Sequence, residues 1–257
     1  EYRLNRLFFH YPKPVIALMD GVTMGGGVGL SVHASTRIVS DRTMFAMPET
    51  GIGLFPDVGG SYFLPRLPGA IGLYLALTGA RLRAADCLYA GIADAFIASA
   101  GHDEFVAAIR AGKPIDAATK CLSEPPEPAM LAANRNAIDR CFGHESVEEI
   151  ESALYREAGE WAQKTLKVMA AKSPTSQKIA YRQLRDGARL DFDACMVMEY
   201  RLSQHIMAAH DFFEGVRALI IDKDNTPRWR PGTLAAVDDA MVNGYFEPLG
   251  AAELTFG

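Results

Sequence analysis

Two carboxylates stand in an otherwise apolar stretch of the sequence, "FAMPETGIGLFPDVGG". Glu49 follows a run that is typical of a strand, and Asp57 follows Phe55–Pro56. Apolar surroundings raise the pKa of a carboxyl group, which makes the carboxylate a better proton acceptor. The pair therefore predicts general acid–base chemistry. The alternative interpretation is that both residues are helix N-caps or turn formers.

A second motif with chemical meaning is the glycine triplet Gly25–Gly27 in "MDGVTMGGGVGL". The triplet lies between an apolar run and a predicted helix, as in phosphate-binding loops. However, no lysine follows the glycines, and a G-x-G-x-x-G motif counted from Gly25 requires glycine where Leu30 stands, so nucleotide binding is not favoured. Close packing or positive φ is one remaining explanation. The other is an oxyanion hole, in which backbone N–H groups at a helix N-terminus stabilise a negative oxygen.

The elements that position these motifs are predicted to form a mixed α/β region. Val15–Met19 is a buried strand, Val28–Ala34 is a short helix, and "TRIVSD" and "TMFAMPE" are further strands. Three helices follow in "GSYFLPRL", "AIGLYLALTG" and "RAADCLYAG", and "ADAFIA" is the next strand. Proline, glycine and polar residues then interrupt any periodicity, so we divide the chain into residues 1–111, a connection over 112–128, and residues 129–257.

The second half of the chain is predicted to be almost entirely helical. Ser146 and Glu149 form a capping box at the start of a helix that reaches about Lys172, and Ser173–Pro174 begins the next helix. A third helix carries an apolar stripe for burial, consisting of Phe192, Cys195, Met198, Leu202 and Ile206.

Composition excludes several classes of function. The 257 residues are 49% apolar and 22% charged with a formal net charge of -5, and the basic residues are scattered. This pattern predicts no nucleic-acid partner. We also expect no membrane span and no secretion signal, because the apolar runs are short and the first residues are amphipathic. Neither the cysteines nor the histidines have the spacing of metal ligands.

The longer blocks around both motifs resemble a known superfamily. "KPVIALMDGVTMGGGVGLSVHASTRIV" and "FAMPETGIGLFPDVGGSYFLPRL" resemble the crotonase (enoyl-CoA hydratase/isomerase) superfamily. "SPTSQKIAYRQL", "MEYRLSQ" and "HDFFEGVRALIIDKDNTPRWRP" are similar to its 3-hydroxyisobutyryl-CoA hydrolase branch, so the resemblance covers nearly the whole chain. It implies an α/β fold with a crotonase-like spiral of ββα turns and a helical C-terminal region.

The resemblance also implies roles for individual residues. Gly26 is expected to donate one N–H to the oxyanion hole for an acyl-CoA thioester carbonyl. Glu49 is the expected catalytic carboxylate, and Asp57 an active-site acid near the acyl group. Glu1 corresponds to a glutamate that is assigned to substrate binding.

Two departures from the superfamily pattern affect these expectations. Hydratases have a second catalytic glutamate two residues after the glycine triplet, and this sequence has Gly29 there. Concerted addition of water to a double bond is therefore not favoured. The early strands, and an "AGGD"-like loop that supplies the second oxyanion N–H, do not occur in this sequence, so we expect the N-terminal part of the fold to be missing.

Three hypotheses about function follow. The first is hydrolysis of a short 3-hydroxyacyl-CoA thioester, with valine breakdown as the implied pathway. The second is an enoyl-CoA isomerase or hydratase of fatty-acid or amino-acid breakdown, and the third is a non-catalytic acyl-CoA-binding protein. The implied partner is an acyl-CoA substrate, with no cofactor besides the coenzyme A that the substrate carries. We also expect a homo-oligomer, and a cytoplasmic location or, in a eukaryote, the mitochondrial matrix.

Overall fold

The computed structural model describes residues 1–123 and 128–256, which form two compact units. The first, which we call the sheet unit, consists of Leu7–Ala46 and Arg81–Asn134. The second, the helical unit, consists of Glu1–Arg6, Met47–Ala80 and Arg135–Gly257. Each unit is therefore assembled from separate segments of the chain.

The sheet unit contains two parallel sheets. One has three strands in the order Ile16–Met19, Thr36–Val39 and Ala95–Phe96, and the other pairs Val22–Thr23 with Met44–Phe45. Ile16–Met19 pairs with Thr36–Val39 in one sheet, and Val22–Thr23 pairs with Met44–Phe45 in the other. The chain therefore repeats a unit of two consecutive strands. This repetition agrees with the predicted ββα spiral.

The strand Thr36–Val39 ends in adjacent apolar residues because it is buried on both faces, and strands of this kind carry continuous apolar sequences. Ile38 and Val39 are adjacent and both are fully buried. Ile38 packs in a cluster with Ala95, Phe105 and Ala118. The helices with all their residues in this unit are Gly26–Ser31, Ala84–Tyr89, His102–Arg110 and Ile115–Leu122.

The helical unit is formed by helices around an apolar cluster that includes Phe55, Ile179 and Leu202. Its helices are Gly60–Phe63, Ile71–Thr78, Val147–Arg156, Glu160–Ala170, Pro174–Gly187, Phe192–Ile206, His210–Val216 and Asp239–Tyr245. Shorter 3₁₀ turns include Glu49–Ile52 and Leu64–Arg66, and Arg217–Ile221 is a π-helical turn. Two helices, Tyr2–Phe9 and Met130–Phe142, have residues in both units.

Several predicted helix boundaries are confirmed. The Ser146 side chain accepts a hydrogen bond from the Glu149 N–H, and the Ser173 side chain caps the helix that begins at Pro174. The predicted stripe on the helix Phe192–Ile206 is buried at all five positions. The short helix expected at Val28–Ala34 begins earlier, at Gly26, and ends at Ser31.

Two predictions of secondary structure were wrong. The helix expected from Ser146 to about Lys172 is two helices, because Gly159 has a φ of 112° that an α-helix does not contain. The expected connection over 112–128 contains the helix Ile115–Leu122, while residues 124–127 lie outside the described part. The division into 1–111 and 129–257 stays a prediction about the spiral, and the two compact units combine residues from both ranges.

No helix within residues 1–123 and 128–256 is both long enough and apolar enough to span a bilayer.

Two glycines provide a test of the break between the helices Val147–Arg156 and Glu160–Ala170. Gly159 has φ 112° and ψ 166°, a region that is essentially restricted to glycine, so Gly159→Ala should lower the free energy of unfolding by about 1–3 kcal/mol. Gly244 lies in a helix and, like Gly159, has open space where a Cβ would be. Gly244→Ala should therefore raise the free energy of unfolding by about 0.5–1 kcal/mol. Urea unfolding of the full-length protein measures both. Equal effects of the same sign would contradict this account.

Candidate active site

Glu49 is a buried carboxylate with one unsatisfied oxygen. It begins the 3₁₀ turn Glu49–Ile52, and only 4% of its surface is exposed. Within the described residues, its Oε2 is buried and has no hydrogen-bond partner. Burial, followed by the charge of Asp57, raises the pKa of Glu49 well above its usual value, whereas its own backbone N–H and the charge of Lys172 lower it. Glu49 is not an N-cap, and it has the chemical character of a general base.

The turn that carries Glu49 is fixed by a close contact with the helix His210–Val216. A Cβ on Gly53 would lie 2.2 Å from the Asp211 carbonyl oxygen, and a Cβ on Gly215 would lie 2.3 Å from the Ile52 carbonyl oxygen. Both positions therefore require glycine. In addition, the Ser173 N–H donates to the carbonyl oxygen of Thr50 at 3.1 Å, within the same turn. The backbone that presents Glu49 is consequently held from two sides.

Asp57 lies in the segment Pro56–Ser61 and is partly exposed. It is a turn former, because its carbonyl oxygen accepts a hydrogen bond from the Gly60 N–H at 2.8 Å. Burial, followed by the charge of Glu1, raises the pKa of Asp57 from 3.8 to about 7. Near neutral pH this carboxyl group therefore exists in both protonation states and can either donate or accept a proton.

Two further residues contact this segment and were missed in the sequence. Gln183 Nε2 donates to the carbonyl oxygen of Pro56 at 2.6 Å. Glu199 Oε2 accepts from the Gly59 N–H at 2.9 Å, and Oε1 accepts from the N–H and the hydroxyl of Ser61 at 2.9 and 2.5 Å. Burial raises the pKa of Glu199 to about 8 in spite of these donors. The available signal was a glutamate adjacent to Met198 on the buried stripe of its helix.

Glu1 and Tyr2 lie at the start of the helix Tyr2–Phe9. Glu1 is exposed, and its connection with the site is the effect of its charge on Asp57. Burial, followed by the charges of Glu199 and Asp57, raises the pKa of Tyr2 well above its usual value. Within the helical unit, the charge of Asp57 therefore acts on Glu49, and the charge of Glu1 acts on Asp57. The role of Glu1 in substrate binding stays a prediction.

Gly26 belongs to the sheet unit and is the first residue of the helix Gly26–Ser31. Among the described residues, the Gly26 N–H has no hydrogen-bond acceptor. The N–H groups of Gly27 and Val28 donate to the carbonyl oxygens of Met24 and Gly25. Close packing does not explain Gly25 or Gly27, because a Cβ on either would meet nothing within 4 Å, and positive φ explains only Gly25. A free N–H at a helix start is what an oxyanion donor requires.

Metal-binding clusters of three or more His, Cys, Asp or Glu side chains do not occur in the part of the chain that the structure describes.

The raised pKa of Asp57 predicts how stability depends on pH. Its folded-state pKa of about 7 exceeds the usual 3.8, so its contribution to stability is complete below the lower value and is lost as the pH rises through 7. Asp57→Asn removes this dependence. The free energy of unfolding of the full-length variant minus that of wild type should therefore be larger at about pH 8 than at about pH 5. Urea unfolding at the two pH values measures this difference.

Asp103 provides the control, since it is an exposed aspartate. Asp103→Asn should change the free energy of unfolding equally at both pH values. The same pH-independent result for Asp57→Asn would show that the folded protein does not perturb Asp57.

Comparisons with known proteins agree with this geometry. Residues 1–246 match the model of the family "Enoyl-CoA hydratase/isomerase". The 3-hydroxyisobutyryl-CoA hydrolase, mitochondrial, of Danio rerio is 46% identical over 264 residues, which are 99% of this chain and 69% of the relative. The protein of the same name from Homo sapiens is 44% identical over 266 residues, with 100% and 69% covered.

Solved structures show the same fold. A carnitinyl-CoA dehydratase from Mycobacterium thermoresistibile has a TM-score of 0.94 and 41% identity, with 99% of this chain and 74% of that chain covered. An enoyl-CoA hydratase from Rhodobacter sphaeroides has a TM-score of 0.91 and 38% identity at the same coverage. The family model that matches residues 1–246 and the relatives that are 44–46% identical show that the chain belongs to the enoyl-CoA hydratase/isomerase (crotonase) family.

Proposed function

We propose that the protein containing this chain hydrolyses a short 3-hydroxyacyl-CoA thioester, of the 3-hydroxyisobutyryl-CoA type, to the free acid and coenzyme A. The observation that carries the proposal is the buried carboxylate of Glu49 with its unpartnered Oε2. The names of the hydrolases that are 44–46% identical over the whole chain support the same substrate class.

In this mechanism Glu49 supplies the base or the nucleophile. As a base, its free oxygen takes a proton from water, the hydroxide adds to the thioester carbonyl, and collapse of the tetrahedral intermediate expels the thiolate of coenzyme A, which is then protonated. As a nucleophile, it adds to the thioester carbonyl and expels the thiolate, which is then protonated, and water hydrolyses the resulting acyl anhydride to the free acid and the Glu49 carboxylate. The Gly26 N–H is the proposed donor to the carbonyl oxygen, which carries negative charge in the intermediate.

Asp57 has two roles that its chemistry allows. Its carboxyl group, with a pKa of about 7, can hydrogen-bond the 3-hydroxyl of the substrate, or it can orient the attacking water. Glu1 is the proposed additional substrate contact. No cofactor is needed, because coenzyme A is part of the substrate and water is the second reactant.

The second candidate function is enoyl-CoA hydration or isomerisation, and the names of the two solved structures, a dehydratase and a hydratase, favour hydration. Gly29 weighs against hydration, because it stands where the superfamily resemblance implies a second catalytic glutamate. An isomerase requires only one carboxylate for proton transfer. A catalytically inactive acyl-CoA-binding protein is the third alternative.

The biological setting is part of the same proposal. Valine breakdown is the pathway in which such a thioester arises. The names of the curated relatives place those proteins in mitochondria and support a matrix location if the source is a eukaryote. Self-association is proposed from the superfamily resemblance alone.

Replacement of Glu49 tests the mechanism directly. Glu49→Gln in the full-length protein preserves size and hydrogen-bonding capacity but removes the basic oxygen. It should lower kcat for thiol release from 3-hydroxyisobutyryl-CoA by at least about 10²-fold with little change in KM. A thiol reagent measures the rate. A variant that keeps more than about half of the wild-type rate would disprove the role of Glu49.

The wild-type protein separates the three candidate functions. Hydrolysis releases a free thiol, whereas hydration and isomerisation change the double bond of an enoyl-CoA and leave the thioester intact. Migration of the double bond without thiol release would favour an isomerase. Tight acyl-CoA binding without turnover of any thioester would favour the binding protein.

Lys172 is expected to tune the acidity of Glu49. Its Nζ lies 3.1 Å from where a Cβ on Gly51 would be, next to the Glu49 turn, and its charge lowers the pKa of Glu49. In Lys172→Met the acidic limb of the profile of kcat/KM against pH should therefore move to higher pH. Lys164→Met provides the control, because Lys164 is an exposed lysine that pairs with Glu160, and its profile should match wild type. An unmoved limb in Lys172→Met would contradict the expectation.

A further inference from the structure

The segment Pro56–Ser61 contains two consecutive residues in the left-handed region. Val58 has a φ of 50° and Gly59 a φ of 93°. A β-branched side chain is unfavourable there, and Val58 is also fully buried. Residues in such conformations persist only where the surrounding structure enforces them. The conformation of this segment, and with it the direction of the Asp57 side chain, therefore needs external support.

Gln183 supplies one support immediately before Asp57. Its side chain is fully buried on the helix Pro174–Gly187, and its Nε2 donates to the carbonyl oxygen of Pro56 at 2.6 Å. This bond fixes the peptide unit that leads into Asp57.

Glu199 supplies the other support immediately after it. The side chain is fully buried on the helix Phe192–Ile206, and both of its oxygens accept hydrogen bonds from the segment. The donors are the Gly59 N–H, the Ser61 N–H and the Ser61 hydroxyl. Because Glu199 accepts from the N–H groups of both Gly59 and Ser61, this one side chain fixes two peptide units.

The helix that carries Gln183 also contacts the segment directly. A Cβ on Gly187 would lie 2.1 Å from the Ser61 carbonyl oxygen, so the backbones touch at this point. The two supports therefore have little freedom to move relative to the segment.

We propose that Gln183 and Glu199 are positioning residues, which hold Val58 and Gly59 in the left-handed region and thereby direct the Asp57 carboxyl group toward the substrate. The proposal rests on the proposed function, in which Asp57 contacts the substrate. Neither side chain touches the substrate in this scheme, and both act through Asp57.

Gln177 on the same helix makes a matched control possible. Like Gln183 it is buried, its Nε2 donates to a backbone carbonyl, that of Met169 at 3.2 Å, and its Oε1 has no partner among the described residues. Its hydrogen bond does not involve Pro56–Ser61. Gln183→Met and Gln177→Met thus remove equivalent groups from the fold, and only the first change removes a support of Asp57.

We expect both variants of the full-length protein to lower the melting temperature similarly. Gln183→Met should lower kcat/KM by at least about tenfold, because small displacements of a catalytic group are costly, and Gln177→Met should change it by less than about twofold. Hydrogen exchange followed by mass spectrometry should show faster exchange over residues 57–61 in Gln183→Met, but not in Gln177→Met. Equal activities and equal exchange in the two variants would overturn the proposal.

A double-mutant cycle separates positioning from general destabilisation. If Gln183 acts through Asp57, Gln183→Met in an Asp57→Asn background should lower kcat/KM by less than about twofold further. Multiplicative effects of the two changes would overturn positioning.

Glu199→Gln gives a third measurement, because it keeps one acceptor but presents an NH₂ group to a backbone donor. Exchange over residues 57–61 should increase there as well, and unchanged exchange in a folded Glu199→Gln protein would overturn the role of Glu199. The exchange measurements do not depend on the reaction. If wild type releases no thiol the proposed function fails, while unchanged exchange in Gln183→Met still overturns the support by Gln183.

Discussion

Burial of a carboxylate without a compensating charge or hydrogen bond costs free energy. Two buried carboxylates of the helical unit differ in how far hydrogen bonds offset this cost. Glu199 is completely buried and accepts three hydrogen bonds from the segment that follows Asp57. Glu49 is almost as buried, but its Oε2 has no partner among the described residues. The satisfied carboxylate organises the backbone, and the unsatisfied one keeps an oxygen available for chemistry. The same physical constraint therefore separates a structural group from a reactive one.

An unsatisfied buried oxygen can persist only if the backbone around it cannot relax to give it a donor. The contact of Gly53 and Gly215 with the neighbouring backbone provides this rigidity, since neither position has space for a side chain. Comparable close contact occurs at Gly187 beside Ser61. Glycine in this protein thus matters less for flexibility than for bringing backbones together where the carboxylates are presented.

The local features of the fold could be predicted from the sequence, because their causes are local. The cap at Ser173 depends on residues next to one another, and the buried stripe beginning at Phe192 follows helical periodicity. The apolar surroundings of Glu49 and Asp57 were likewise inferred from neighbouring residues. The break at Gly159 was missed because a single glycine inside a helical pattern does not reveal its φ.

The supports of Asp57 could not be predicted in the same way. Gln183 is 127 residues from Pro56, and Glu199 is 140 residues from Gly59, so no local pattern connects them. Family resemblance predicted that Glu49 and Asp57 are site residues, and this stays a prediction. It did not indicate which side chains fix the backbone beneath them.

The long separation between Gly59 and Glu199 also has a consequence during synthesis. Ribosomes add about 5–20 residues per second, so the 140 residues between the two positions take roughly ten seconds to translate. During this interval the nascent chain carries Asp57 without Glu199. The hydrogen bonds from Gly59 and Ser61 to Glu199 therefore form only after the helix Phe192–Ile206 has been synthesised.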